Sequence, residues 1–126
     1  MKVITTMEEL MEMIENANGY CGLRGASEHD IEIADRGYLD CSIDNWDGSY
    51  DYENEELLPG TSAICVTEDM EENELSEHYN RAKEYAAITQ VVYLISDSVS
   101  EYGYDEDEIV LGHNGYGADV LAEVRL

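Results

Sequence analysis

Ile88-Thr89-Gln90-Val91-Val92-Tyr93-Leu94-Ile95 decides the fold. Upstream, Leu75, Tyr79, Ala82 and Ala86 recur at spacings of three and four, the mark of a helix with one buried stripe. Asp69 can cap that helix, with Glu72 three residues on. Were the helix to run on to Ser100, it would be about 46 Å long at 1.5 Å per residue, too long for a chain of 126 residues. The β-branched and aromatic run from Val91 to Ile95 predicts a strand instead, beginning after roughly Ile88.

Working outward, Thr61 to Thr67 carries Ala63, Cys65 and Val66 and reads as a central strand. Val120, Ala122, Val124 and Leu126 alternate as a last strand. Ile109-Val110-Leu111 is a short strand, and Asn114-Gly115 is a hairpin signal. Towards the start, residues 2–5 suit a short strand. Thr6-Met7-Glu8-Glu9 is a capping box opening a helix to about Ala17, with Met7, Leu10, Met11 and Ile14 as its apolar stripe. Tyr20 to Glu28 holds Gly22, Gly25 and Ser27 and reads as a loop. Asp30–Ala34 and Tyr38–Asp44 both alternate apolar and polar residues, and predict a β-hairpin around Asp35-Arg36-Gly37. No linker or internal repeat divides the chain. The expectation is one α+β domain over residues 1–126, a mostly antiparallel sheet with two helices on one face.

Charge is the second strong signal. Thirty acids against six Lys and Arg give a formal net charge of −24. A small soluble domain is comfortable at a magnitude of roughly 2–8. Gly37 to Asn80 contains 13 acids and no Lys or Arg. Between Lys83 and Arg125 lie nine more acids and no basic residue. Such a balance argues against a basic face for nucleic acid or an anionic membrane. At 44% apolar residues in patterned runs, it also argues for a folded chain.

Carboxylates two apart on a strand lie about 6.6 Å from one another, and those three or four apart on a helix about 5–6 Å. Those spacings approach the phosphate spacing of a nucleic-acid strand. In charge and size the chain resembles the DNA-mimic inhibitors that phages direct at restriction and RNA-guided (CRISPR) nucleases. What the resemblance implies is an acidic, non-enzymatic, cytoplasmic interaction protein that occupies the basic nucleic-acid groove of a partner, with no cofactor and no direct contact to nucleic acid. Asp40, Asp44, Asp47, Asp51, Glu53, Glu55 and Glu56 would supply charge, and Trp46, Tyr50 and Tyr52 packing. Glu71, Glu74 and Glu77 form a second candidate patch. An acid-rich surface adapted to high salt is an alternative origin for the same composition.

An enzyme of the ADP-ribosyltransferase type is the other alternative. Arg24 in Leu23-Arg24-Gly25, Thr61-Ser62 after Gly60, and Glu106-Asp107-Glu108 are similar to that family's Arg, Ser-Thr-Ser and Glu-x-Glu motifs. The resemblance implies NAD as substrate, its phosphates gripped by Arg24, and transfer promoted by Glu108. Gly60 stands where the family's first serine would be.

Other chemistries find less support. Aligning Gly48 with the EF-hand glycine puts Ile43 and Asn54 at ligand positions, so that loop is not an EF-hand. His29, His78 and His113 lack metal-like spacing. Gly112–Gly117 follows a run of acids, which disfavours a phosphate cradle. Cys21, Cys41 and Cys65 are odd in number and are expected as free thiols. No segment has the apolar length of a membrane span.

Overall fold

In a computed structural model, the described residues are 1–17, 20–39, 42–43, 50–51, 56–57, 62–97 and 118–126. The chain runs β1 (Val3–Ile4), α1 (Met7–Asn16), β2 (Tyr20–Gly25), α2 (Glu28–Ile33), a 3-10 turn (Ala34–Arg36), then β3 (Tyr38–Leu39) and β4 (Ser42–Ile43). It continues through β5 (Tyr50–Asp51), β6 (Glu56–Leu57), β7 (Ser62–Val66), α3 (Glu72–Tyr85), β8 (Val92–Asp97) and β9 (Ala118–Val124).

The architecture is α+β. Seven strands form one sheet in the order β1-β9-β8-β2-β7-β4, with β3 also on β9. Pairing is antiparallel except for β1 with β9 and β4 with β7. Because β8 runs along one edge of β9, β1 and β3 must share its other edge. They meet it at opposite ends, at Glu123–Val124 and Ala118–Asp119. β5 and β6 pair with each other in a separate two-stranded unit.

The run that argued against a long helix is β8, and its alternation sorts the core into two layers. Val92 and Leu94 face the layer that holds Leu10 and Ile14 of α1 and Leu75, Tyr79 and Ala82 of α3. Tyr93 and Ile95 face the opposite layer, with Ala26, Ala34, Leu39 and Ala63. Leu94 and Ile95 are both fully buried, each side chain stabilising the fold by about 1.5–3 kcal/mol through burial. In β9 the register slips: Leu94 opposes Ala122 and Ile95 opposes Val120, so Leu121 is a bulge residue. The slip sends Val120 to one layer and Ala122 with Val124 to the other, whereas the sequence alternation predicts one face for all three.

Among the described residues three helices form rather than two, and they cover both faces. The segment predicted as a strand over Asp30–Ala34 is α2 and its 3-10 extension. The Ser27 hydroxyl accepts from the Asp30 amide at 3.1 Å, and the Asp30 carboxylate accepts from the Ser27 amide at 2.9 Å. That reciprocal cap offers the backbone a helix start, and it outweighs the Ile31/Ile33 alternation. Ile31 is left 39% exposed in that helix. The expected loop over Tyr20–Glu28 is mostly β2, an interior strand between β8 and β7. Its Gly25 serves close packing: a Cβ there would lie 2.1 Å from the Ala82 carbonyl oxygen of α3. β3 and β4 do not form a hairpin with residues 30–34 but join β9 and β7.

The remaining helix ends follow local chemistry. Thr6 caps α1 by accepting from the Glu9 amide at 3.2 Å. Asp69 does not cap α3: its carboxylate accepts from the Thr67 hydroxyl, and Glu71 holds the cap position without a side-chain bond. α3 ends in a turn closed at Gln90, whose φ of 57° is left-handed. That conformation costs a non-glycine residue about 1 kcal/mol. The Gln90 amide NH to Ala86 O (2.6 Å) and side-chain amide to Ala87 O (3.1 Å) offset it by satisfying carbonyls at the helix end.

Candidate interaction surface

Two helices on one face of a sheet must each turn a polar side outward. In α1 the buried Leu10 and Ile14 fix the inner side. At 100° per residue, Glu8, Glu12 and Glu15 then fall together on the opposite side, and all three are exposed. No Lys or Arg occurs in α1, and none of the three pairs with a cation of the described residues. Neighbouring glutamates three or four apart are about 5–6 Å apart and destabilise a helix by roughly 0.2–0.5 kcal/mol per pair. Glu8 sits favourably in the first turn, while Glu15 opposes the dipole in a last turn with no basic residue. The helix is held by its packed inner side, and the mutual repulsion of its outer carboxylates works against it.

α3 is less uniform. Glu74, Glu77 and Glu84 are exposed, but Asn73 and Asn80 share the outward stripe and the flanking Arg81 and Lys83 are part-buried. Lys83 lies 6.0 Å from the Tyr79 ring centroid. Glu71 is exposed at the cap position, before the helix proper, so it does not continue the Glu74–Glu77 spacing.

Among the other expected site residues, β5 and β6 bring Asp51 opposite Glu56 and Tyr50 opposite Leu57. Asp40, Asp44, Trp46, Asp47, Tyr52, Glu53 and Glu55 lie outside the described residues, as do Thr61, Glu106, Glu108 and Cys41. The structure therefore puts Asp51 and Glu56 in register on neighbouring strands and places Glu74 with Glu77 on one helix. The three α1 glutamates are a further acidic set that the density of acids in residues 37–80 did not draw attention to. Their signal was present in the sequence as Glu8, Glu12 and Glu15 opposite the Leu10/Ile14 stripe.

Arg24 and Arg125 are engaged elsewhere. Arg24 is 4% exposed on the α2 side of β2. Its Nε donates to Asp30 Oδ2 at 2.9 Å and its Nη2 to Asp30 Oδ1 at 3.0 Å, a two-pronged charge-assisted pair. Burial pushes the Asp30 carboxyl up, but the Arg24 guanidinium and the Ser27 amide outweigh it and hold Asp30 below the usual carboxylate range. Arg125 pairs with Glu123. On the Arg24 side, burial and the nearby Glu123, Asp35 and Asp30 charges push the Tyr93 phenol up, so it stays neutral. Ser62 begins β7, the strand antiparallel to β2, so it lies at the same end of the sheet as Arg24.

Cys21 and Cys65 are both buried and free. Cys21 opposes Val66 and faces the α1/α3 layer, while Cys65 faces the other. Burial, and then Cys65, push the Cys21 thiol up to about 11. Among the described residues no helix is long and apolar enough to cross a membrane. Comparison with protein-family models, curated proteins and solved structures gave no match.

Proposed function

We propose that this is an acidic interaction protein that occupies the basic nucleic-acid groove of a partner, as an inhibitor acting by nucleic-acid mimicry. The observation that carries this is the outward row Glu8, Glu12 and Glu15 on a helix without a cation, together with the exposed Glu74 and Glu77 of α3 on the same face of the sheet. A rigid sheet holds both helices, so the carboxylates are pre-placed, and a basic groove that binds them releases its own counterions as it would on binding DNA. Asp51 and Glu56, paired on β5 and β6, extend the acidic character to a separate element. On this reading the partner is a nucleic-acid-binding protein, with a phage inhibitor of a host defence nuclease as the matching biological setting.

The test is capture from a bacterial lysate on immobilised protein, eluted by stepped salt or by duplex DNA. The expected result is a nucleic-acid-binding protein released by both, because the screening length falls from about 8 Å at physiological salt to about 3 Å at 1 M. Glu8→Lys/Glu12→Lys/Glu15→Lys should lose the capture while keeping the wild-type circular dichroism spectrum. Capture that survives both 1 M salt and excess DNA would overturn the proposal.

A second reading, an ADP-ribosyltransferase-like enzyme using NAD, draws on one observation: Arg24 and Ser62 belong to adjacent strands at one end of the sheet. The fork of Arg24 is already taken by Asp30, which weighs against a phosphate-gripping role. Transfer of label from NAD to lysate proteins, abolished by Glu108→Gln, would establish it; absence of labelling by the wild type would end it.

A further inference from the structure

Where β2 passes into α2, the chain meets the far end of α3 across a cleft of about 560 Å³. That size lies within the range of about 300–1,000 Å³ typical of ligand pockets. Its walls are mostly apolar, from Ala26, Tyr85, Ala86, Ala87 and Ile88. Ile88 is 84% exposed at its lip.

The cleft is held open by fixed backbone. The Thr89 hydroxyl donates to Ala26 O at 2.6 Å, and the Ala26 amide donates to Val91 O at 2.8 Å. Gly25, with no side chain, lets α3 approach β2 closely and sets the floor. The exposed rim is Glu28, His29 and Glu84, and among the described residues no Lys or Arg lines the cleft. An apolar hollow with an acidic rim, on a chain of net charge −24, complements an apolar group carried between cations.

We propose that this cleft receives one aliphatic or aromatic side chain of the protein partner, flanked in the partner's own chain by Lys or Arg that meet Glu28 and Glu84. The inference rests on the acidic-interaction reading and adds the anchor that charge alone does not supply. Carboxylate rows give attraction at a distance, while a filled apolar cleft slows dissociation and fixes orientation.

Two fluorescent peptides separate the ideas at low salt: Lys-Arg-Lys-Leu-Lys-Arg-Lys and the same peptide with serine in place of leucine. The expected result is about tenfold tighter binding of the leucine peptide, the least that burying such a side chain yields. Ile88→Ser, which removes the lip, and Ala87→Phe, which fills the hollow, should each bring the ratio to about one and leave the serine peptide's affinity unchanged. Both positions are exposed in the turn after α3, so the fold does not depend on them. Equal binding of the two peptides to the wild type overturns the anchor and leaves the charge reading standing. A leucine preference that persists in both variants overturns the cleft as its location. Binding of neither peptide overturns the charge reading and this inference with it.

Discussion

Removing the carboxylate of Asp30 should be the most damaging single change on the α2 side of the sheet. Asp30→Ala takes away the acceptor of the Arg24 bonds at 2.9 and 3.0 Å and of the Ser27 amide at 2.9 Å. Arg24, at 4% exposure, then loses the carboxylate that both prongs of its fork meet. Breaking a buried pair from one side costs about 3–5 kcal/mol, and loss of half the capping box adds about 0.5–1 kcal/mol. The sum, about 4–6 kcal/mol, is a large share of the roughly 5–15 kcal/mol that holds a domain together. In urea, with a slope of about 2 kcal/mol per molar, the midpoint should fall by about 2–3 M. Arg24→Met/Asp30→Leu removes both charges and should recover most of the loss, since an apolar pair of similar volume needs no counter-charge. A midpoint shift below about 0.5 M for Asp30→Ala, or a double variant as weak as the single one, would refute the account of Arg24 as a buried structural cation.

Gly25→Ala sets a methyl against the Ala82 carbonyl oxygen, where the ideal distance is 2.1 Å, so α3 must move off β2. A loss of about 3 kcal/mol in urea denaturation is expected, against a near-neutral result if the contact is loose. The folded Asp30 carboxyl titrates below its unfolded value of about 3.9, so its contribution is complete above that pH and is lost as pH falls through the lower, folded value. The melting temperature should therefore drop as pH falls below about 4; a melting temperature unchanged between about pH 5 and about pH 2 would count against this. Cys21 and Cys65 are buried, so a thiol reagent at pH 8 should label at most one equivalent of the three cysteines quickly in the native chain, and all three in urea.

Periodicity made much of this fold legible. The α1 stripe, the α3 stripe and the switch to β8 at Val91–Ile95 all follow from it, because each pattern is long enough to be unambiguous. Errors came where two short signals competed. Over residues 27–34 the Ser27/Asp30 box and the Ile31/Ile33 alternation pointed to different structures, and the box prevailed. At β2 the glycines suggested a loop, since a glycine placed for helix approach looks the same in sequence as one placed for a turn. The bulge at Leu121 is set by how β8 and β9 meet, which no local pattern encodes. For the candidate surface, Glu74 and Glu77 were legible, and the α1 row was equally so once its inner side was known. The cleft beside Ile88 was not, because its walls come from segments about 60 residues apart.

β9 carries a consequence for how the molecule is made. It bonds to β8 on one edge and to both β1 and β3 on the other, so the element translated after all of them ties those two short strands into the sheet. Until a ribosome has released residues 118–124, β8 presents a bare edge to every neighbouring nascent chain. The dense negative charge emerging ahead of it then acts as a mutual repellent between half-made copies, holding them apart until the keystone strand arrives.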